Sequence, residues 1–318
     1  MKYRNALPQL NGTQMLADGG LETTLVFHDG IDLPLFAAFK ALDSQVGIDA
    51  IDRYMRGFAQ LAVNNRRGFV MDTPTWRASP RWAAELGVDH DQLKEVHREV
   101  IATLVKMREE HEKPESPFVI NGVIGPHSDG YAPTEILGDS EAETYHRTQV
   151  EWFAEMGADM VSAITMTYAD EAIGIVRAAQ AAGIPVVISF TVETDGRLPS
   201  GQGLRAAIEQ VDAATQSAAA YFMINCAHPD HFRSVLEQGG DWTNRIMGLR
   251  ANASRLSHAE LDAADELDDG NPREFGELHQ ELAKILPNLT VIGGCCGTDH
   301  RHVEHVCKAA RQPTTETV

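Results

Sequence analysis

Short apolar runs that break into turn residues recur along the chain, and most are separated by a stretch with helical spacing. The runs cover residues 14–17, 68–71, 118–124, 159–164, 184–190, 221–226, 245–250 and 290–295. Segments 48–64, 91–109, 141–156, 170–182, 204–218, 230–236, 272–286 and 302–311 place apolar residues three and four apart, and these are predicted helices. Alternation of strand and helix predicts a parallel sheet, because each strand needs a crossover before the next can run the same way. Eight such units, with no Gly-x-Gly-x-x-Gly turn after the first run, predict a closed (β/α)₈ TIM barrel rather than an open doubly wound sheet.

Nothing in the composition divides the chain. At 318 residues and 43% hydrophobic content it is expected to form one domain over residues 1–318, with a polar, frayed tail at 312–318. The stretch 251–271 is rich in Asp, Asn and Ser and is expected to be a long seventh loop over the barrel mouth.

A formal charge of −19 and a pI near 5.0 oppose attraction to nucleic acid or to anionic membranes, so a small molecule is the expected partner. No stretch has the apolar length of a membrane span, and the first residues lack the apolar core of a signal peptide. A cytoplasmic protein is expected.

Three of the four cysteines stand at ends of apolar runs. Cys226 follows Tyr221-Phe222-Met223-Ile224-Asn225, and Cys295 and Cys296 follow Val291-Ile292-Gly293-Gly294. In a TIM barrel the strand C-termini carry the chemistry, so these sulfurs are expected at one mouth. Three thiolates with a fourth position open describe a catalytic zinc site. So electron-rich a zinc centre activates water poorly; it suits holding a substrate thiol as thiolate for attack on an electrophilic carbon. A buried free cysteine, and a strained 295–296 disulfide, are the competing readings. Cys307, inside the last helical segment, is expected in the core.

Asp18-Gly19-Gly20, Asn225-Cys226 and Gly293-Gly294-Cys295-Cys296-Gly297 resemble the homocysteine S-methyltransferase family, with Gly125-Pro126, Gly157-Ala158-Asp159 and Glu171-Ala172 in family-like places. The resemblance spans nearly the whole chain. It implies a (β/α)₈ barrel, zinc held by Cys226, Cys295 and Cys296, and methyl transfer to a thiol acceptor from a small sulfonium or ammonium donor. Asp18 and Gly19 would then contact the amino-acid part of the acceptor; as an alternative, Asp18 is a helix cap or turn residue. A different reaction on a sulfur compound, or a non-catalytic ligand-binding barrel, stays open beside this reading.

Two places depart from the family. Its fourth strand ends in Glu-Thr, the Glu being expected to hold the ammonium of homocysteine, whereas this chain reads Ala163-Ile164-Thr165. Where members carry an aromatic followed by Gln, or Phe-Tyr, it has Trp76-Arg77. Thr165, Trp76 and Arg77 are therefore candidate substrate contacts. Arg77 facing the mouth would pair with a carboxylate, and otherwise is a solvated loop charge. Trp76 would cover a methylated cation or simply pack. Glu22 and Asp72 are nearby carboxylates of undetermined direction.

Overall fold

A computed structural model describes residues 1–309. Eight strands close into a parallel barrel in sequence order: β1 Met15–Leu16, β2 Gly68–Asp72, β3 Phe118–Ile124, β4 Met160–Met166, β5 Val186–Phe190, β6 Tyr221–Asn225, β7 Ile246–Ala251 and β8 Val291–Gly294. Closure is made by β8 against β1, with Val291 opposite Met15 and Ile292 opposite Leu16. Each strand coincides with a run expected from the sequence, within a few residues at its ends.

The outer ring follows the predicted segments as well: α1 Gln45–Asn64, α2 His90–His111, α3 Asp139–Met156, α4 Ala169–Ala182, α5 Leu204–Thr215, α6 Pro229–Leu236, α7 Pro272–Ile285 and α8 His300–Ala309. Their starts are chemically marked. Ser44 Oγ accepts the Gly47 amide at the head of α1, and Asp89 with Gln92 forms a capping box at the head of α2. Helix α5 ends three residues before the expected 218, where Gln216 and Ser217 turn left-handed. The expected tail 312–318 lies outside the described residues.

Period-two alternation along each strand divides the apolar side chains into two layers. Val119 and Val123 of β3, Met160 and Ile164 of β4, Val187 of β5 and Met223 of β6 fill the barrel interior. Phe118, Ile120 and Ile124, with Val161 and Ala163, face the helices. Asn121, Ser162 and Asp72 form a polar layer inside the barrel: Ser162 Oγ donates to Asn121 Oδ1 at 2.9 Å and Asn121 Nδ2 to Asp72 Oδ1 at 2.7 Å. The same parity fixes the top layer, so Asp72, Ile164 and Arg250 point inward at the C-terminal mouth.

The opposite face is stapled by one carboxylate. Asp159, fully buried, accepts from Arg108 Nη1 at 2.6 Å, from the Ile120 amide at 3.0 Å and from the Lys2 and Tyr3 amides at 2.7 and 2.8 Å. The family-like Gly157-Ala158-Asp159 thus belongs to the face where a barrel keeps its stability. Among the described residues, no helix is long and apolar enough to cross a membrane.

Candidate active site at the barrel mouth

A cavity of about 530 Å³ opens at the C-terminal ends of the strands, a size suited to a small-molecule ligand. The expected seventh loop covers part of it. That loop contains a short helix, His258–Asp262, and Leu261, Asp262 and Leu267 line the cavity.

Cys226, Cys295 and Cys296 meet in its wall. Cys226 Sγ lies 3.1 Å from Cys295 Sγ and 3.6 Å from Cys296 Sγ, and all three sulfurs fall within 4.8 Å of one another. The turns that bring them there are specific. Cys226 has φ +56, in the left-handed region that costs a non-glycine residue on the order of 1 kcal/mol. Its amide donates to Arg250 O at 3.1 Å, which keeps the chain paired with β7 through the bend. Near the end of β8 a Cβ on Gly293 would meet Asp18 O at 2.7 Å, and after the strand Gly297 takes φ +77 to reverse the chain. Cys307 is buried in α8, in the core as expected.

Zinc–sulfur bonds of about 2.3 Å at tetrahedral angles place sulfurs about 3.8 Å apart. The 3.6 Å pair meets that spacing, and the 3.1 Å pair needs to open by less than 1 Å. The titration of the cluster points the same way. Hydrogen bonds from Cys226 and Cys296, then the Arg250 charge, hold the Cys295 thiol well below the thiol range. Cys226 is pushed up, first by its hydrogen bond to Cys295 and then by Cys296 and burial. Cys296 is also raised, by Cys295 and burial against a lowering hydrogen bond with Cys226. One negative charge is favoured and two more are resisted, which a divalent cation would relieve. The donor set fits zinc.

Tyr131 completes this corner, and no motif announced it. Its Oη lies 3.0 Å from Cys226 Sγ and 3.6 Å from Cys296 Sγ, while its ring stacks on His258 at 4.0 Å. Burial and the neighbouring cysteines push the phenol well above its usual range, so it stays protonated and donates toward sulfur. His258 Nε2 donates to Cys226 O at 2.6 Å. The loop carrying Tyr131 is held by Glu171, at the start of α4, which accepts from the His127 amide at 2.6 Å and faces His146 Nε2 at 2.9 Å.

Arg250 is the second residue that motif reading passed over. Buried at the end of β7, it pairs with Asp18 after β1 and with Asp72 at the end of β2. Its Nε also donates to Gly294 O at 3.3 Å. A charged residue closing the apolar run Ile246-Met247-Gly248-Leu249 was the available signal, since such a charge requires counter-charges. Asp18 therefore lines the cavity as an ion-pair partner. The Gly19 amide donates to Tyr54 Oη at 3.0 Å.

The remaining candidates also reach the cavity. Thr165, at φ +65, is fixed by Asn225, which accepts the Thr165 amide at 3.0 Å and donates Nδ2–H to Thr165 Oγ1 at 2.8 Å. Ile164 sits inward beside it, 7% exposed. Arg77 is buried: its guanidinium carbon lies 4.4 Å from the Trp76 ring centre and 3.7 Å from that of Trp82, and Nη2 donates to Asp129 Oδ2 at 3.3 Å. Trp76 thus covers Arg77, and its Nε1 donates to Ile164 O at 3.1 Å. Glu22 lies in the cavity wall with its own backbone amide as hydrogen-bond partner, and burial raises its carboxyl to about 7.

Solved structures similar to this chain include the homocysteine methyltransferase MmuM from Escherichia coli in three forms. The oxidized form superposes with a TM-score of 0.72 at 19% identity over 96% of this chain and 98% of that one. For the metallated form the values are 0.71, 17%, 96% and 99%, and for the apo form 0.66, 18%, 97% and 99%. At such identities the likeness speaks for the fold, which is the expected TIM barrel. The family assignment rests on a profile described as homocysteine S-methyltransferase, which matches residues 15–310. With that match spanning both the Asp18-Gly19-Gly20 turn and the paired cysteines, the chain belongs to the homocysteine S-methyltransferase family and is a methyltransferase.

Proposed function

We propose that the protein is a zinc-dependent thiol S-methyltransferase of the reducing cytoplasm, built as one barrel domain and acting on small molecules. Convergence of the Cys226, Cys295 and Cys296 sulfurs in the wall of an open cavity carries this reading. Bound there, zinc would hold the acceptor sulfur as a thiolate at neutral pH.

The chain's own residues supply position and charge. Tyr131 donates toward Cys226 and so steadies the sulfur cluster, as groups behind a metal ligand do. Arg250 places a fixed positive charge near Cys295. The acceptor loses its thiol proton to solvent on binding. Its sulfur then forms a bond to the donor methyl carbon as the donor's carbon–sulfur or carbon–nitrogen bond breaks, leaving a thioether and a neutral sulfide or amine. A sulfonium or quaternary ammonium donor needs no further co-reactant. The cavity's service is to exclude water and align the two.

Metal analysis of the purified protein, combined with thiol titration and a methyl-transfer assay using S-methylmethionine against a panel of thiols, tests this. One zinc per chain, lost together with transfer on chelation, is the expected result. Full activity without metal would overturn it.

A further inference from the structure

Resting on that reading, we infer that the acceptor is a small thiol bearing a carboxylate and no α-ammonium, with Arg77 receiving the carboxylate. Arg77 is 8% exposed, lines the same cavity as the three cysteines, and leaves its buried Nε and Nη1 without a partner among the described residues. Its ion pair to Asp129 is a single 3.3 Å contact. Buried guanidinium donors are costly to leave unmade, and two of them call for an acceptor. The Trp76 and Trp82 rings pack against the guanidinium, a planar fork suited to a two-oxygen partner.

The features that would hold an amino-acid head group are otherwise engaged. Ile164 fills the inward position at the end of β4 and offers no charge. The Asp18 carboxylate is paired with Arg250, and the Gly19 amide is given to Tyr54. Glu22, in the cavity wall, accepts its own backbone amide.

The cavity sets the size. Asp129, which touches Arg77, is joined through Gly130 to Tyr131, which touches Cys226. Both contacts lie in one cavity of about 530 Å³, a volume that takes a small molecule.

The test compares 3-sulfanylpropanoate, homocysteine and 2-aminoethanethiol as acceptors for the zinc-loaded enzyme with S-methylmethionine. Wild type is expected to favour the thiol carboxylate by at least about tenfold in kcat/KM over both amines. Arg77→Gln should raise KM for 3-sulfanylpropanoate by roughly 10 to 100-fold with a smaller effect on kcat, and change KM for 2-aminoethanethiol by a smaller factor. Ile164→Glu should gain homocysteine turnover, which checks the assignment even if the Arg77 variant folds poorly. Preference of wild type for either amine, or an unchanged KM in Arg77→Gln, would overturn the inference while leaving methyl transfer intact. Calorimetry with 3-(methylsulfanyl)propanoate reads Arg77 without turnover. Binding lost in Arg77→Gln, in an enzyme that methylates no thiol, would uphold the carboxylate site and sink the transferase reading.

Discussion

Tyr131 Oη and Cys226 Sγ lie 3.0 Å apart, although they come from the loop after β3 and the end of β6. A phenol held protonated by burial donates to sulfur there, and hydrogen bonds to charged acceptors contribute about 1.5 to 3 kcal/mol. Tyr131→Phe keeps the stacking on His258 but removes this bond. Zinc affinity, measured by chelator competition, is expected to fall on the order of 10 to 100-fold, with the melting temperature of the metal-free protein little changed.

Cys296→Ser removes a sulfur outright. Because partners behind a ligand already cost about 10 to 100-fold, losing the ligand itself is expected to cost at least that in metal affinity, and methyl transfer should fall with it. Zinc content and activity measured on one preparation check this. Full retention of both would show the ligand assignment to be wrong.

Replacing Arg250 by Met tests stability instead. Asp18 and Asp72 would be left buried without their shared cation, which costs about 3 to 5 kcal/mol where a buried pair is broken. Denaturant unfolding should show the lower midpoint. Equal stability would mean the two carboxyls take up protons or rearrange freely.

The Glu22 carboxyl is raised by burial from its ordinary 4.5 to about 7 in the folded protein. Between those values the folded state holds a proton that the unfolded state has lost, so stability falls as pH rises through the interval. The contribution is fully present below about 4.5 and gone above about 7. Glu22→Gln should flatten that segment of the curve, measured as the difference between the two metal-free proteins in denaturant unfolding.

The barrel and the cysteine corner could both be read from the chain, because each rests on short-range pattern. Alternating runs set the strands, and three cysteines at strand ends set the sulfurs. Arg250, Tyr131 and Trp82 escaped for a physical reason. Arg250 meets Asp18 across 232 residues and Asp72 across 178, so no local spacing connects them. Tyr131 lies in a loop whose path is decided by Glu171 some forty residues later. Trp82 belongs to a short helix, Pro80–Glu85, between β2 and α2 that the periodicity did not separate from a loop. Arg77 and Trp76 were visible as departures, but their stacking on each other was not.

The ion pairs of Arg250 tie β7 to the chain just after β1 and at the end of β2, across the gap where the barrel closes. Half of the rim is thereby braced from within. Ile164, at the end of β4, stands on the other half, outside that brace, so exchanging it alters the cavity wall without disturbing what keeps the mouth in shape.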